Sequence, residues 1–201
     1  MRTLVIDPSA SGITGELLAA AVLDLTGSPE PLALLCDALS GSAYCHRCHL
    51  GYQPPGTGGK NGILTLDVNG TGRTAPDVLS GEAGRLSSRL SLSPKACTIL
   101  QSAVQDLCTF SPTAQFGDLA EMVVPLMLID SAGLLESAFR SLPPAAGLPG
   151  SPVIALCAHY PIPLSQSTLN TPSTTVAGVA LLANLAEVTD TFPGMTPEGI
   201  F

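Results

Sequence analysis

An apolar tetrapeptide, Thr3–Ile6, runs into a turn made almost entirely of small and hydroxyl residues, and the turn runs into Glu16–Leu25 (ELLAAAVLDL), a segment rich in helix formers. A short buried strand that feeds a helix through so tight a corner commits the N-terminus to layered α and β structure. Glycines in such a corner allow close backbone approach, and the first free N–H groups of the helix point outward, where they can hold a phosphate. Thr14 or Ser11 supplies a cap, and Glu16 in the first turn suits the helix dipole but would repel an anion bound directly there. A metal bridging Asp7, Glu16 and a phosphate would remove that conflict. The same pattern also fits a well-capped turn with no ligand, since it is neither a Walker loop nor a dinucleotide fingerprint.

Downstream, strands and helices alternate irregularly. Pro31–Leu39 reads as a second helix, Ala43–Leu50 and Gly62–Val68 as strands, and Ala75–Leu90, with Gly81 and Gly84, as a weak helix or two short ones. Ser93-Pro94 opens a helix over Lys95–Thr109, with Ile99, Leu100, Ala103, Val104 and Leu107 on one face. A further helix is expected over Asp118–Leu142, bent or interrupted at Pro125, then a strand at Val153–Ala158 and a very apolar helix over Thr175–Val188, either central or buried against another subunit. The pattern predicts a mixed α/β (α+β) fold, a small mixed sheet with helices packed against it, in one domain over residues 1–201 and without internal repeats.

Sixteen acidic residues against eight Lys+Arg give a formal charge of −8, which disfavours nucleic acid as a partner. Hydrophobic residues make up 45% and charged residues 12%, about half the usual share, so the chain is neither a disordered tail nor a coiled coil. The opening apolar run is cut by Asp7 and Pro8, and no stretch is apolar for the length that a spanning helix needs; the expectation is a cytoplasmic protein with no membrane contact and reduced cysteines.

The densest set of potential ligands is Cys45-His46-Arg47-Cys48-His49. Cys-x-x-Cys spacing suits a tetrahedral ion, zinc or nickel, with His46 and His49 completing the set. On a regular strand Cys45, Arg47 and His49 share one face and His46 and Cys48 the other, which splits the set; a tight knuckle near Gly51 would gather it. An edge strand with partly buried cysteines and solvated histidines is the alternative. Asp118 and Glu121 lie near a helix start and can simply complement its dipole. Lys60 and Arg73 sit in loops, where they could touch phosphate or only water. There is no Gly-x-Ser-x-Gly elbow, so a nucleophilic triad is not indicated.

Asp7 followed by Ser11-Gly-Ile-Thr-Gly-Glu-Leu and Leu18-Ala-Ala-Ala-Val-Leu-Asp-Leu resembles the opening of the nickel insertion proteins of the LarC type, Asp-x-x-Ser-Gly-Ile-Ser-Gly-Asp-Met followed by a helix ending Leu-Leu-Asp-Leu-Gly. Weaker similarities follow in the family's order: Asn61-Gly62-Ile63 with its strand, Leu92-Ser-Pro-Lys-Ala, Ala158-His159-Tyr-Pro-Ile-Pro163, Thr171-Pro172, Val179 to Leu185, and Phe192-Pro-Gly-Met-Thr-Pro. The resemblance implies insertion of nickel into a pyridinium-3,5-bisthiocarboxylic acid mononucleotide in nickel-pincer cofactor biosynthesis, a lyase-class reaction, with CTP and magnesium or manganese also bound. It implies that Asp7, Ser11, Gly12, Thr14, Gly15 and Glu16 bind the nucleotide or its metal. Asp118 and His159 are weaker metal candidates beside Cys45, His46, Cys48 and His49. The implied partner is a separate C-terminal half, while the apolar helix over Thr175–Val188 favours a homo-oligomer or a partner chain.

The chain departs from the family pattern. One extra residue separates Asp7 from Ser11. The family's Phe-His-Glu block reads Phe116-Gly117-Asp118, and its two aspartates become Val123 and Met127; a second register places Asp130-Ser131 on the family's Asp-Ser, with Val124-Pro125 for His-Glu. Either way the histidine is missing, and the sequence ends at Gly199-Ile200-Phe201, before the family's C-terminal domain. A second expectation follows, from a different class: a binding or assembly subunit that kept the fold and lost the metal chemistry. A third is a small zinc-stabilised module centred on Cys45–His49.

Overall fold

The computed structural model describes residues 2–56, 61–70, 72–146, 150–166, 173–191 and 194. Lys60, Thr171, Pro172 and Phe192, named above, lie outside the described residues. The fold is mixed α/β. Strand β1 (Thr3–Ile6) leads to helices α1 (Gly15–Thr26) and α2 (Pro31–Ser40), then to the hairpin β2 (Cys45–Gln53) and β3 (Ile63–Gly70). Helices α3 (Pro76–Arg89), α4 (Pro94–Phe110) and α5 (Phe116–Ser131) follow. The remaining elements are β4 (Ala138–Ser141), β5 (Ala145–Ala146), α6 (Ser151–His159), β6 (Ser165–Gln166), α7 (Val176–Leu185) and β7 (Glu187–Val188). Among the described residues, no helix is long and apolar enough to cross a membrane.

Among the described residues, three small sheets result. β1, β4 and β7 form a parallel sheet with β4 in the middle, in the register Thr3↔Ala138 to Ile6↔Ser141, and Arg140 is ion-paired to Glu187 across the β4–β7 edge. β2 and β3 form an antiparallel hairpin, and β5 pairs with β6 in parallel. The helices begin and end where local chemistry dictates. Thr14 and Ser93 cap α1 and α4 by accepting from Leu17 N and Ala96 N (3.1 and 3.2 Å), and Thr175 caps α7 by accepting from Gly178 N (3.0 Å). Gly27 ends α1 in the left-handed conformation (φ 65°), its N–H returning to Leu23 O.

The middle of the molecule is α5. Every residue from Met122 to Ile129 is buried, so the helix has no solvent face to speak of; it packs against α1, α4 and α7. Where a bend or break was expected at Pro125, α5 runs through it without interruption. The cost of a proline there is a lost hydrogen bond to the carbonyl four residues back, that of Glu121. That carbonyl lies against the backbone of Gly15, the first residue of α1, so close that a Cβ on Gly15 would collide with it. The missing bond thus falls where another helix needs room.

Three expectations are corrected. Val153–Ala158 is helical, as part of α6, because Gly150 in extended conformation and Pro152 in the first turn start a helix that β-branched Val153 and Ile154 do not override. The helix from Asp118 stops at Ser131, and Gly133 (φ 67°) turns the chain toward β4, so 138–141 is strand. The last helix ends at Leu185, because Glu187 and Val188 join the parallel sheet. Helix α7 is buried from Ala177 to Leu182 within its own chain, against α4, α5 and α6, which accounts for its apolar composition without a second subunit. Leu100, fully buried on α4, tests this packing: Leu100→Ala should cost about 2–5 kcal/mol of unfolding free energy, measured by urea denaturation, and a loss below that range would mean the α4 face is looser than described.

Candidate functional site

The β1–α1 corner is a closed structure. After β1, the exposed Asp7 carboxylate accepts from both N and Oγ of Ser9 (3.1 and 2.5 Å), which folds the chain back, and Gly12 N donates to Pro8 O at 3.0 Å. Gly12 has φ +84°, and a Cβ there would collide with the backbone of Ser173. The segment 173–175 runs alongside the corner: Ser173 N donates to Ser11 O, Thr175 N to Ile13 O, and Ile13 N to Thr174 Oγ1 (2.9, 3.1 and 3.3 Å).

Two of the amides that would cradle a phosphate are spent within the chain. Gly15 N donates to Glu121 Oε1 at 2.9 Å and Leu17 N to Thr14 Oγ1 at 3.1 Å. The same Glu121 oxygen accepts from Thr175 Oγ1 at 2.5 Å. One carboxylate from the second turn of the central helix therefore joins the N-termini of α1 and α7. It stands where an external anion would stand, at the positive end of a helix with an N–H aimed at it. Glu16, expected to meet a metal, instead accepts from Leu66 N at 2.7 Å and fastens α1 to β3. Asp118 accepts from Gln115 N at 2.7 Å and caps α5. A phosphate bound to these amides would have to displace Glu121 and sit beside two more carboxylates, so the residues present fit the chain's own carboxylate and do not fit that phosphate.

The electrostatics agree. Burial raises the Glu121 carboxyl above its ordinary value, against the lowering by its Thr175 and Gly15 hydrogen bonds, and the neighbouring charges of Asp118 and Glu16 push it further up. Burial also raises Asp118.

The Cys/His segment takes neither of the arrangements expected for it. In β2, Cys45 pairs with Gly70 while Arg47 pairs with Asn69, so His46 is the extra residue of a β-bulge. The bulge shifts the alternation by one. Cys45 and Cys48 both turn inward, and His46, Arg47 and His49 are exposed. Arg47 makes a loose ion pair with Asp67 (3.8 Å) on this outer face. The two histidines therefore point away from the two cysteines. Among the described residues, no group of three or more His, Cys, Asp or Glu side chains is arranged to hold a metal. His159 is exposed at the end of α6, its ring 5.3 Å from Phe110 and edge-on to Tyr160 at 4.9 Å, whose hydroxyl donates to Asp106. Arg73 is exposed.

Two residues take roles that the sequence did not assign them. Glu121 looked like a dipole partner, although its place at the head of an otherwise apolar run, Met122–Ile129, was the available signal. Cys36 lies half-buried, and its thiol donates to the carbonyl of Cys48 (3.5 Å). Two shallow clefts, of about 280 Å³ beside Lys95, Phe139 and Asn184 and about 420 Å³ between α3 and α4, include none of the corner residues. No protein-family model matches the chain, and neither a curated protein nor a solved structure matches it.

The Glu121 arrangement makes two opposed predictions. Glu121→Ala leaves Gly15 N–H and the Thr175 hydroxyl without their acceptor and should cost about 1–3 kcal/mol. Glu121→Gln keeps an acceptor oxygen and removes the charge. Because the folded carboxyl is raised above its ordinary 4.5, its stabilising contribution is complete below that pH and is lost as pH rises through the folded value. Glu121→Gln should therefore be most favourable relative to wild type near pH 7, with the difference shrinking toward pH 5. Thermal melts of both proteins across that range check this, and a difference that grows on acidification would contradict it.

Proposed function

We propose that this chain is a binding or assembly protein derived from the nickel insertion lineage, with the lineage's N-terminal fold and without nucleotide-dependent metal chemistry at the β1–α1 corner. The observation that carries the reading is the Glu121 carboxylate on Gly15 N–H. A helix N-terminus already paired with a carboxylate of its own chain has no reason to recruit a nucleotide phosphate, because the internal anion is tethered in place and needs no association step. The replacement of the lineage's Phe-His-Glu by Phe116-Gly117-Asp118 supports the same view from the metal side. A glycine offers no donor, and Asp118 is committed to capping α5.

The competing reading is nickel insertion into the pyridinium bisthiocarboxylate mononucleotide by this chain as one half of a split enzyme. Its support is that the charges of Asp118 and Glu16 reach Glu121, a repulsion a divalent cation would relieve, although the three carboxylates are not arranged to hold a metal. An all-oxygen set is a poor match for nickel's preference for nitrogen and sulfur, and a better one for magnesium or manganese.

Calorimetry of the full chain with nickel(II), and separately with CTP and magnesium, distinguishes the two. The proposal expects no saturable binding of CTP in the micromolar range and no change in that result for Glu16→Ala. Saturable CTP binding that requires magnesium and is abolished by Glu16→Ala would replace the proposal with the enzyme reading.

A further inference from the structure

The bulge at His46 turns Cys45 and Cys48 toward α2, and α2 presents Cys36 to them. All three thiols are half-buried and free. The Cys36 thiol donates to the Cys48 carbonyl at 3.5 Å, which sets the two cysteines side by side. Cys45 lies close enough to interact electrostatically with both. The exposed histidines cannot join this set without refolding the strand. We propose that Cys36 and Cys48 are an oxidative modification site, in which a hydroperoxide converts the pair to a disulfide that ties α2 to β2.

With the Cys36 sulfur already against the Cys48 backbone, side-chain rotation and a small approach of the two elements bring the sulfurs to a bonded separation of about 2.05 Å. In the first step one sulfur, its proton released to solvent, attacks a peroxide oxygen. The O–O bond breaks, the sulfur becomes a sulfenic acid, and hydrogen peroxide yields one water. In the second step the other sulfur attacks the sulfenic sulfur, the S–O bond breaks and the hydroxyl leaves as water with the second thiol's proton. Two thiols and one peroxide thus give one disulfide and two waters; the sulfurs lose two electrons and the peroxide gains them. Burial, followed by the adjacent Cys36, pushes the Cys48 thiol up to about 12, and burial also raises Cys45. These groups are therefore protonated at neutral pH and react only with sustained oxidant, which separates a modification site from a catalytic thiol.

The experiment is exposure of the full chain to excess hydrogen peroxide, alkylation of the remaining thiols, digestion and mass spectrometry. Trypsin cuts after Arg47 and so separates Cys48 from Cys36 and Cys45; fragment ions identify which is joined to Cys48. The expected product is a Cys36–Cys48 cross-link, lighter by two hydrogens, reversed by dithiothreitol, retained in Cys45→Ser and abolished in Cys36→Ser. A cross-link to Cys45, sulfinic acid without a cross-link, or intact thiols after the peroxide has been consumed would each overturn the assignment. The wild-type digest decides these outcomes even if a serine variant fails to fold.

Discussion

A single side chain, Glu121, meets the demands of three helices at once. Its carboxylate accepts from the first residue of α1 and from the hydroxyl that caps α7, while its backbone belongs to the buried helix α5. Carboxylates are costly to bury unless hydrogen-bonded, and this one recovers part of that cost from donors at positive helix ends. The close approach needed for the contact depends on two features of the backbone. Gly15 has no Cβ to strike the Glu121 carbonyl, and Pro125 has no N–H to claim that carbonyl from within α5. Replacing any one of the three would disturb the others, so the corner is one device assembled from residues distant in sequence.

This device bears on what the corner can do. A strand-turn-helix with free amides is an anion site, whereas the same unit with an internal carboxylate is a joint. The two share their local sequence requirements: glycines, a hydroxyl cap and an acidic residue in the first turn. They differ only in what arrives from elsewhere in the chain. Here the arrivals are Glu121 from α5 and the segment 173–175, whose backbone lines up with Ser11 and Ile13. Glu16 then serves the joint as well, bonded to β3. Joint and ligand site are therefore alternatives at this corner, and the distances favour the joint.

The same division between local and distant causes explains what could be read from the sequence. β1, α1, the strands β2 and β3, and α4 were legible because their signals are local: Thr14 and Ser93 as caps, Pro94 at the first helical position, and alternating apolar residues in β3. The mixed α/β class followed from their irregular order. Val153–Ala158 was misjudged because a short apolar run with β-branched residues carries no period of its own, and only the chain conformation at Gly150 decides in favour of helix. The strands β4 and β7 were hidden inside apparent helices because two- and four-residue strands exist by virtue of their partners, not of their own propensity. The role of Glu121 could not be read for the same reason, since its partners lie at residues 15 and 175.

The Cys/His segment shows how little is needed to redirect chemistry. A regular strand would split Cys45 from Cys48, and a knuckle would gather both with their histidines. A single extra residue at His46 does neither: it sorts the segment by element, sulfur inward and imidazole outward. Its inner face then meets Cys36 on α2, whereas its outer face carries Arg47 opposite Asp67. The hairpin is held in this attitude from its other end, where Tyr52 Oη and Gly62 N both donate to the Asp24 carboxylate on α1 (2.5 and 2.8 Å). With that end fixed and Leu50 and Leu66 facing the core, the strand cannot rotate to bring the histidines in. A metal site built from all four ligands would require breaking the hairpin's attachment to α1, whereas joining two of the thiols requires only that they turn toward each other.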